Sequence, residues 1–302
     1  MAASNKLPAT NYDKRPAFTF IWAIENWPVY FFPTFVESPI FHVEKLQDTK
    51  WCLKIRSGEE KRLFYSIHRD ILTNEDPVDA VFEISFLGSD GSAVVSKTRR
   101  KYFSTYETYE EFMLREDAFR LDRARLIEND TLTISCRLWS AEGRYLLSIP
   151  PRRCFANTRL AIERRTIFWC VRDFSQIPIG EPGVQLGLPH LSEIGHYVIT
   201  LNLNIIEIFG TQQVLITILE ENLPGCLYFD LSILDVEGKK NFCSKDIRYV
   251  SRDKYIRVLS IIVKDELMKG KGTMLFNDNL CLRCEFEIEN LPALRSARVI
   301  FV

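Results

Sequence analysis

The sequence predicts an all-β protein made of two tandem antiparallel β-sandwiches, each with one short helix. The first observation is a repeat. Phe82 to Gly91, FEISFLGSDG, returns as Phe229 to Gly238, FDLSILDVEG, at an offset of 229 minus 82, or 147 residues. Trp22 and Ile24 of FIWAIENW return as Trp169 and Val171 of IFWCVRDF at the same offset. Asn129 to Cys136, NDTLTISC, returns as Asn277 to Cys284, NDNLCLRC, at 277 minus 129, or 148. Blocks kept in one order at nearly one spacing mark a duplicated unit. The second observation is alternation: Phe82, Ile84 and Phe86 alternate with Glu83, Ser85 and Leu87, the period of two of a strand with one buried face. The third is punctuation, since Gly91 and Gly238 close their blocks as turn signals do.

Taken in order, residues 1–15 read as a polar tail and the first sandwich spans 16–140. Phe18, Phe20 and Trp22 share one strand face. The following NWPVYFFPTFVESPIF carries Pro28, Pro33 and Pro39, which exclude a long helix and a central strand. Trp51 to Ile55 and Leu63 to Ile67 alternate again. The helix of this copy is expected over Thr108 to Phe119, because Tyr109, Phe112 and Met113 fall at helical spacing. Residues 141–163, with a Pro-Pro pair and several arginines, read as a linker with one helical turn near Leu160. The second copy spans 164–291, with strands at Val198–Phe209, Val214–Leu219 and Cys226–Leu234 and a weaker helix over Tyr255–Met268, followed by a tail over 292–302.

Composition removes several functions. A formal net charge of −1 and a pI near 6.5 leave no electrostatic footprint for nucleic acid. No run approaches the length a spanning helix needs, and the N-terminus has no apolar leader, so no membrane contact is expected and an intracellular site, nucleus or cytoplasm, is. In such a reducing compartment the eight cysteines stay thiols. No catalytic residue, metal site or cofactor is expected: His42, His68, His190 and His196 form no HExxH, and no GxSxG or phosphate-binding loop occurs. Cys281 and Cys284 are three apart on a strand, so their thiols point to opposite faces and cannot converge on one zinc.

The blocks FTFIWAIENW, SPIF, WCLKI, VDAVFEISFLGSDG, and EFMLRED with LIENDTLTISCRL resemble, in that order, the MATH (meprin and TRAF homology) domain, above all that of the speckle-type POZ protein group. The resemblance covers 16 to about 140, and the second copy resembles the family more loosely. It implies a non-enzymatic sandwich that binds extended peptide segments of partner proteins in a shallow groove. It also implies an adaptor role that delivers the bound protein to a cullin-type ubiquitin ligase. That delivery needs a BTB (POZ) domain, and none is recognisable. Carried over residue by residue, the groove falls on Lys54, His68, Phe82, Tyr102, Phe103, Glu107 and Tyr109. Lys54 stands where the family has arginine, His68 where it has tyrosine, and Glu107 where it has tryptophan, so the family's serine-rich preference does not transfer. The alternatives are a TRAF-like scaffold, disfavoured by the lack of a heptad run, and a structural pair of sandwiches with occluded grooves.

Overall fold

The computed structural model describes residues 16–28, 35–58, 62–70, 76–104, 108–115, 119, 121–140, 152–188, 198–221, 226–249, 255–269 and 273–301. The tail expected over 1–15, Glu107, His190 and His196 lie outside them. The protein is all-β and of sandwich type, and it forms two compact units, 1–160 with 294–302, and 161–293.

In the first unit, β1 (Phe18–Glu25) is followed by the short β2 (Phe35–Glu37) and β3 (Phe41–Val43). The long strands β4 (Thr49–Gly58), β5 (Arg62–Asp70), β6 (Val78–Leu87), β7 (Ala93–Phe103) and β8 (Thr108–Arg115) come next. A one-turn helix α1 (Arg123–Leu126), a two-residue β9 (Ile127–Glu128) and β10 (Thr131–Ser140) complete the first copy, and β11 (Arg152–Val171) follows. One sheet runs β11–β1–β10–β6–β7 and the other β2–β4–β5–β8, with β3 also on β4. The two are glued by rings crossing the gap: Phe18 and Phe20 stack on Phe41 at 5.7 and 4.1 Å, and Trp51 meets Phe103 edge-on at 4.9 Å. Such pairs add about 0.5–1.5 kcal/mol each beyond the area they bury.

The duplication is geometric as well as textual. Asn26 and Asp173, Asn129 and Asn277, Asp130 and Asp278, and Gly91 and Gly238 are matched pairs, all at positive φ. Asn, Asp and Gly are the residues that enter this region at least cost. The Trp27 N–H donates to the Asp130 carbonyl at 2.7 Å, and the Phe174 N–H donates to the Asp278 carbonyl at 2.8 Å. The hairpin bond from Gly88 N–H to the Ser92 carbonyl, 2.8 Å, recurs from Asp235 N–H to the Lys239 carbonyl at 3.0 Å.

The second unit uses the C-terminal half of β11 and a 3₁₀ turn at Phe174–Gln176. Its further strands are β12 (Gly180–Leu188), β13 (Val198–Ile208), β14 (Thr211–Glu221), β15 (Cys226–Leu234), β16 (Lys240–Tyr249) and β17 (Tyr255–Val263). Helix α2 (Lys264–Lys269), β18 (Leu275–Phe276) and β19 (Asn279–Phe301) end the chain. One sheet runs β16–β15–β19–β11, and the other β12–β13–β14–β17. Leu201, Leu203, Ile205, Ile216, Ile218, Phe229 and Leu282 are among the residues of its buried core. At the bulge in β12, a Cβ on Gly183 would stand 1.6 Å from Asn204 Oδ1 and 2.3 Å from the Leu203 carbonyl. Gly183→Ala is therefore expected to lift β12 off β13 at a cost of about 1–2 kcal/mol. Amide exchange should show it as lost protection confined to this edge; unchanged protection would mean the strand absorbs the methyl.

Several expected elements are corrected. Residues 108–115 form strand β8, not a helix, because β5 offers a complete hydrogen-bonding partner, pairing Tyr65 with Glu111 and Ile67 with Tyr109. Tyr109 and Met113, four apart, share a face in a strand as well as in a helix, so their spacing did not discriminate. Among the described residues, helix in this copy appears only later, at Phe119, Leu121 and α1, and in the second copy the β-branched run from Tyr255 is strand, with helix beginning at Lys264. The linker over 141–163 and its turn near Leu160 give way to β11 from Arg152 onward. There the inward alternation Cys154, Ala156, Thr158, Leu160 packs parallel to β1, and the Trp22 indole N–H donates to Thr158 Oγ1 at 2.9 Å. The expected tail over 292–302 is likewise strand through Phe301; Pro292 removes one donor from β19 without ending it.

Candidate functional site

Period-two alternation separates the expected groove residues into groups on different faces. Phe82 of β6 and Phe103 of β7 are 0% exposed and lie between the two sheets, their centroids 6.1 Å apart. Tyr109 of β8 joins them edge-on to Phe82 at 5.2 Å, half-buried at the border of the sandwich. Tyr102, next to Phe103, points the opposite way from β7 and is 60% exposed. Lys54 and His68 alternate with the buried Leu53, Ile55 and Ile67, which places them on the outer face of the second sheet. The six described positions therefore do not share one face: Phe82, Phe103 and Tyr109 meet, Lys54 and His68 form a second group, and Tyr102 stands apart, while Glu107 lies outside the described residues.

The outer group is well partnered. Lys54 Nζ sits 3.3 Å from Glu37 Oε2 and 5.3 Å from the centre of the Phe35 ring. His68 is held between Ser66 Oγ on Nε2, 2.9 Å, and Thr108 Oγ1 on Nδ1, 2.8 Å. Burial, and then the nearby Lys54 charge, lower its pKa, so the ring is neutral at pH 7.

The richer chemistry lies where β7 and β8, the terminal strands of the two sheets, border the aromatic cluster. In register, Lys97, Arg99 and Lys101 of β7 stand opposite Ile84, Phe82 and Ala80 of β6, so all three cations lie on the inward face at the rim. Glu111 of β8 answers them. Its carboxylate accepts from the Tyr65 hydroxyl at 2.8 Å and the Tyr109 hydroxyl at 3.0 Å, and it pairs with Arg99 and, at 3.4 Å, with Lys97. Burial pushes the Glu111 carboxyl up, but the bonds from Tyr65, Arg99 and Tyr109 outweigh it and hold it below the usual range. Burial and then the bond to Glu111 raise both tyrosines, keeping each a hydroxyl donor. Lys101 Nζ lies 5.9 Å from the Phe103 ring centre and 6.0 Å from that of Tyr109. Among the described residues, the rim thus gathers Lys97, Arg99, Lys101 and Glu111 beside a partly exposed tyrosine.

Tyr65, Lys97, Arg99, Lys101 and Glu111 were not read from the sequence. A helical reading of 108–119 places Glu110 and Glu111 together on an outer face; a strand sends them to opposite sides. The signal was present in KTRRK, where alternate positions 97, 99 and 101 are all basic.

No family model and no curated protein matches the chain. Among solved structures, a protein from Parabacteroides distasonis is 10% identical over 89% of this chain and 97% of its own, with a TM-score of 0.25. A score of that size carries no argument about fold or function. The MATH resemblance rests on the sequence blocks that suggested it. Among the described residues no helix is long and apolar enough to cross a membrane.

Proposed function

We propose that the first unit is a non-enzymatic peptide-recognition module that receives an extended, acidic segment of a partner protein along the edge of β7. The observation that carries this reading is the rim itself: a terminal strand with alternate cations Lys97, Arg99 and Lys101 beside the half-buried Tyr109. A terminal strand offers unpaired main-chain groups to an added strand, and alternate side chains supply selectivity. Lys97 and Arg99 pair with Glu111, while Lys101 lies near the two rings, so an acidic side chain entering along β7 meets a row of alternate cations. One apolar contact worth about 1.5–3 kcal/mol, with a few net hydrogen bonds, sets an affinity on the order of micromolar. The MATH resemblance supports the same reading and adds delivery of the bound protein to a cullin-type ubiquitin ligase.

The purely structural alternative draws on the complete burial of Phe82 and Phe103, which keeps both rings from a ligand. Calorimetric or NMR titration of the full chain with extended peptides, one bearing Asp or Glu at alternate positions and one neutral, separates the two. The acidic peptide is expected to bind, more weakly as salt rises, and to lose about tenfold on Lys101→Ala. Loss on Lys54→Ala instead would move the site to the outer face, and no binding by either peptide would favour the structural reading.

A further inference from the structure

The second unit holds a pair of thiols side by side. Cys170 on β11 is exposed, Cys281 on β19 is partly so, and their sulfurs are 3.7 Å apart, with the Cys281 thiol donating to Cys170. The repeat explains why they face each other. Adding 147 to Ala23 gives Cys170, and adding 148 to Thr133 gives Cys281; Ala23 and Thr133 are directly opposed in the β1–β10 register. Directly opposed antiparallel residues have Cα atoms about 4.5–5.5 Å apart, inside the roughly 4.4–6.8 Å that a disulfide spans. The first copy, with Ala and Thr at this site, cannot be bridged there.

We propose that Cys170 and Cys281 are a thiol-oxidation site, closed to an intramolecular disulfide by a small-molecule disulfide such as oxidised glutathione. Cys170 is the attacking group, being the more exposed and the acceptor of the thiol hydrogen bond. Its thiolate attacks one glutathione sulfur, the glutathione S–S bond breaks, and the first glutathione leaves as a thiolate that takes up a proton. Cys281, once deprotonated, attacks the Cys170 sulfur of the mixed disulfide, and the second glutathione leaves. Two protein thiols lose two electrons and one glutathione disulfide gains them. The other described thiols compete poorly: Cys52, Cys136, Cys154 and Cys284 are buried, and burial pushes Cys52 and Cys284 up to about 12 and Cys154 up to about 11. Cys243 is exposed on β16 and serves as the internal comparison for simple exposure.

The test incubates the reduced full-length protein with oxidised glutathione and reads intact mass and non-reducing peptide maps. The expected result is loss of two hydrogens with a Cys170–Cys281 cross-linked peptide. Tm should rise by about 10 °C, because a loop of over a hundred residues is closed, and reductant should reverse the rise. The variant Cys170→Ala with Cys281→Thr restores the residues of the first copy and should fold normally yet show neither change. A stable glutathione adduct on Cys170, a cross-link through Cys243, or no oxidation under conditions that label exposed thiols would each overturn the proposal.

Discussion

Phe82→Ala is expected to destabilise the first unit by about 3–5 kcal/mol, the range for an aromatic removed from a packed core. The ring is 0% exposed, its centroid 6.1 Å from that of Phe103 and 5.2 Å from that of Tyr109, one neighbour from its own sheet and one from the other. Deleting it forfeits the transfer energy of the ring, both aromatic contacts, and the support that holds Tyr109 at the rim. Since domains of this size have only about 5–15 kcal/mol to lose, the variant should unfold at a much lower urea midpoint. Phe82→Leu, which keeps most of the volume, should cost less than about 2 kcal/mol. If alanine cost no more than leucine, the ring would not be packed as described. The result would also fix the meaning of any binding loss: Phe82 is fully buried, so its removal reports on the support of Tyr109, whereas Lys101→Ala probes the proposed rim directly.

Glu111→Gln should cost about 1–3 kcal/mol at pH 7, because Tyr65 and Tyr109 lose a charged acceptor and Arg99 and Lys97 lose their counter-charge. The pH dependence follows from the direction of the shift. The folded-state pKa of Glu111 lies below its unfolded value. Its contribution is therefore complete above the unfolded value, near pH 4.3, and disappears as pH falls through the lower folded value. Denaturant titrations of wild type and variant should differ at pH 7, and the difference should shrink at acid pH as the folded carboxylate takes up its proton. A gap of the same size at both pH values would show that the cost comes from amide packing and not from the carboxylate charge.

How far the sequence foretold these structures depends on which physical signal each one left. The duplicated turns were legible because residues with positive φ are chemically restricted, and Asn129–Asp130 and Asn277–Asp278 repeat that restriction in letters. Strand β8 was not legible, since Tyr109 and Met113 satisfy helical and extended spacing alike and only pairing with β5 decides between them. Strand β11 was obscured by the prolines and arginines around a run whose inward residues, Cys154, Ala156 and Thr158, are small and weakly apolar. The site followed from the strand assignments. Phe82, Phe103 and Tyr109 were placed together because the resemblance pointed at them, while Glu111 needed the correct face of β8 and Lys97, Arg99 and Lys101 needed the register with β6.

The bond from Trp22 to Thr158 spans 136 positions of sequence, and that separation matters to a chain made vectorially. At translation speeds of about 5–20 residues per second, roughly 7–27 s pass between the incorporation of the indole and that of its acceptor. During that interval β1 has no parallel neighbour, and the nascent first copy presents an open seam of main-chain donors beside Phe18 and Phe20. A chaperone that recognises extended apolar segments would find its window there, and a stalled ribosome short of residue 152 would leave a product prone to pair with its own kind.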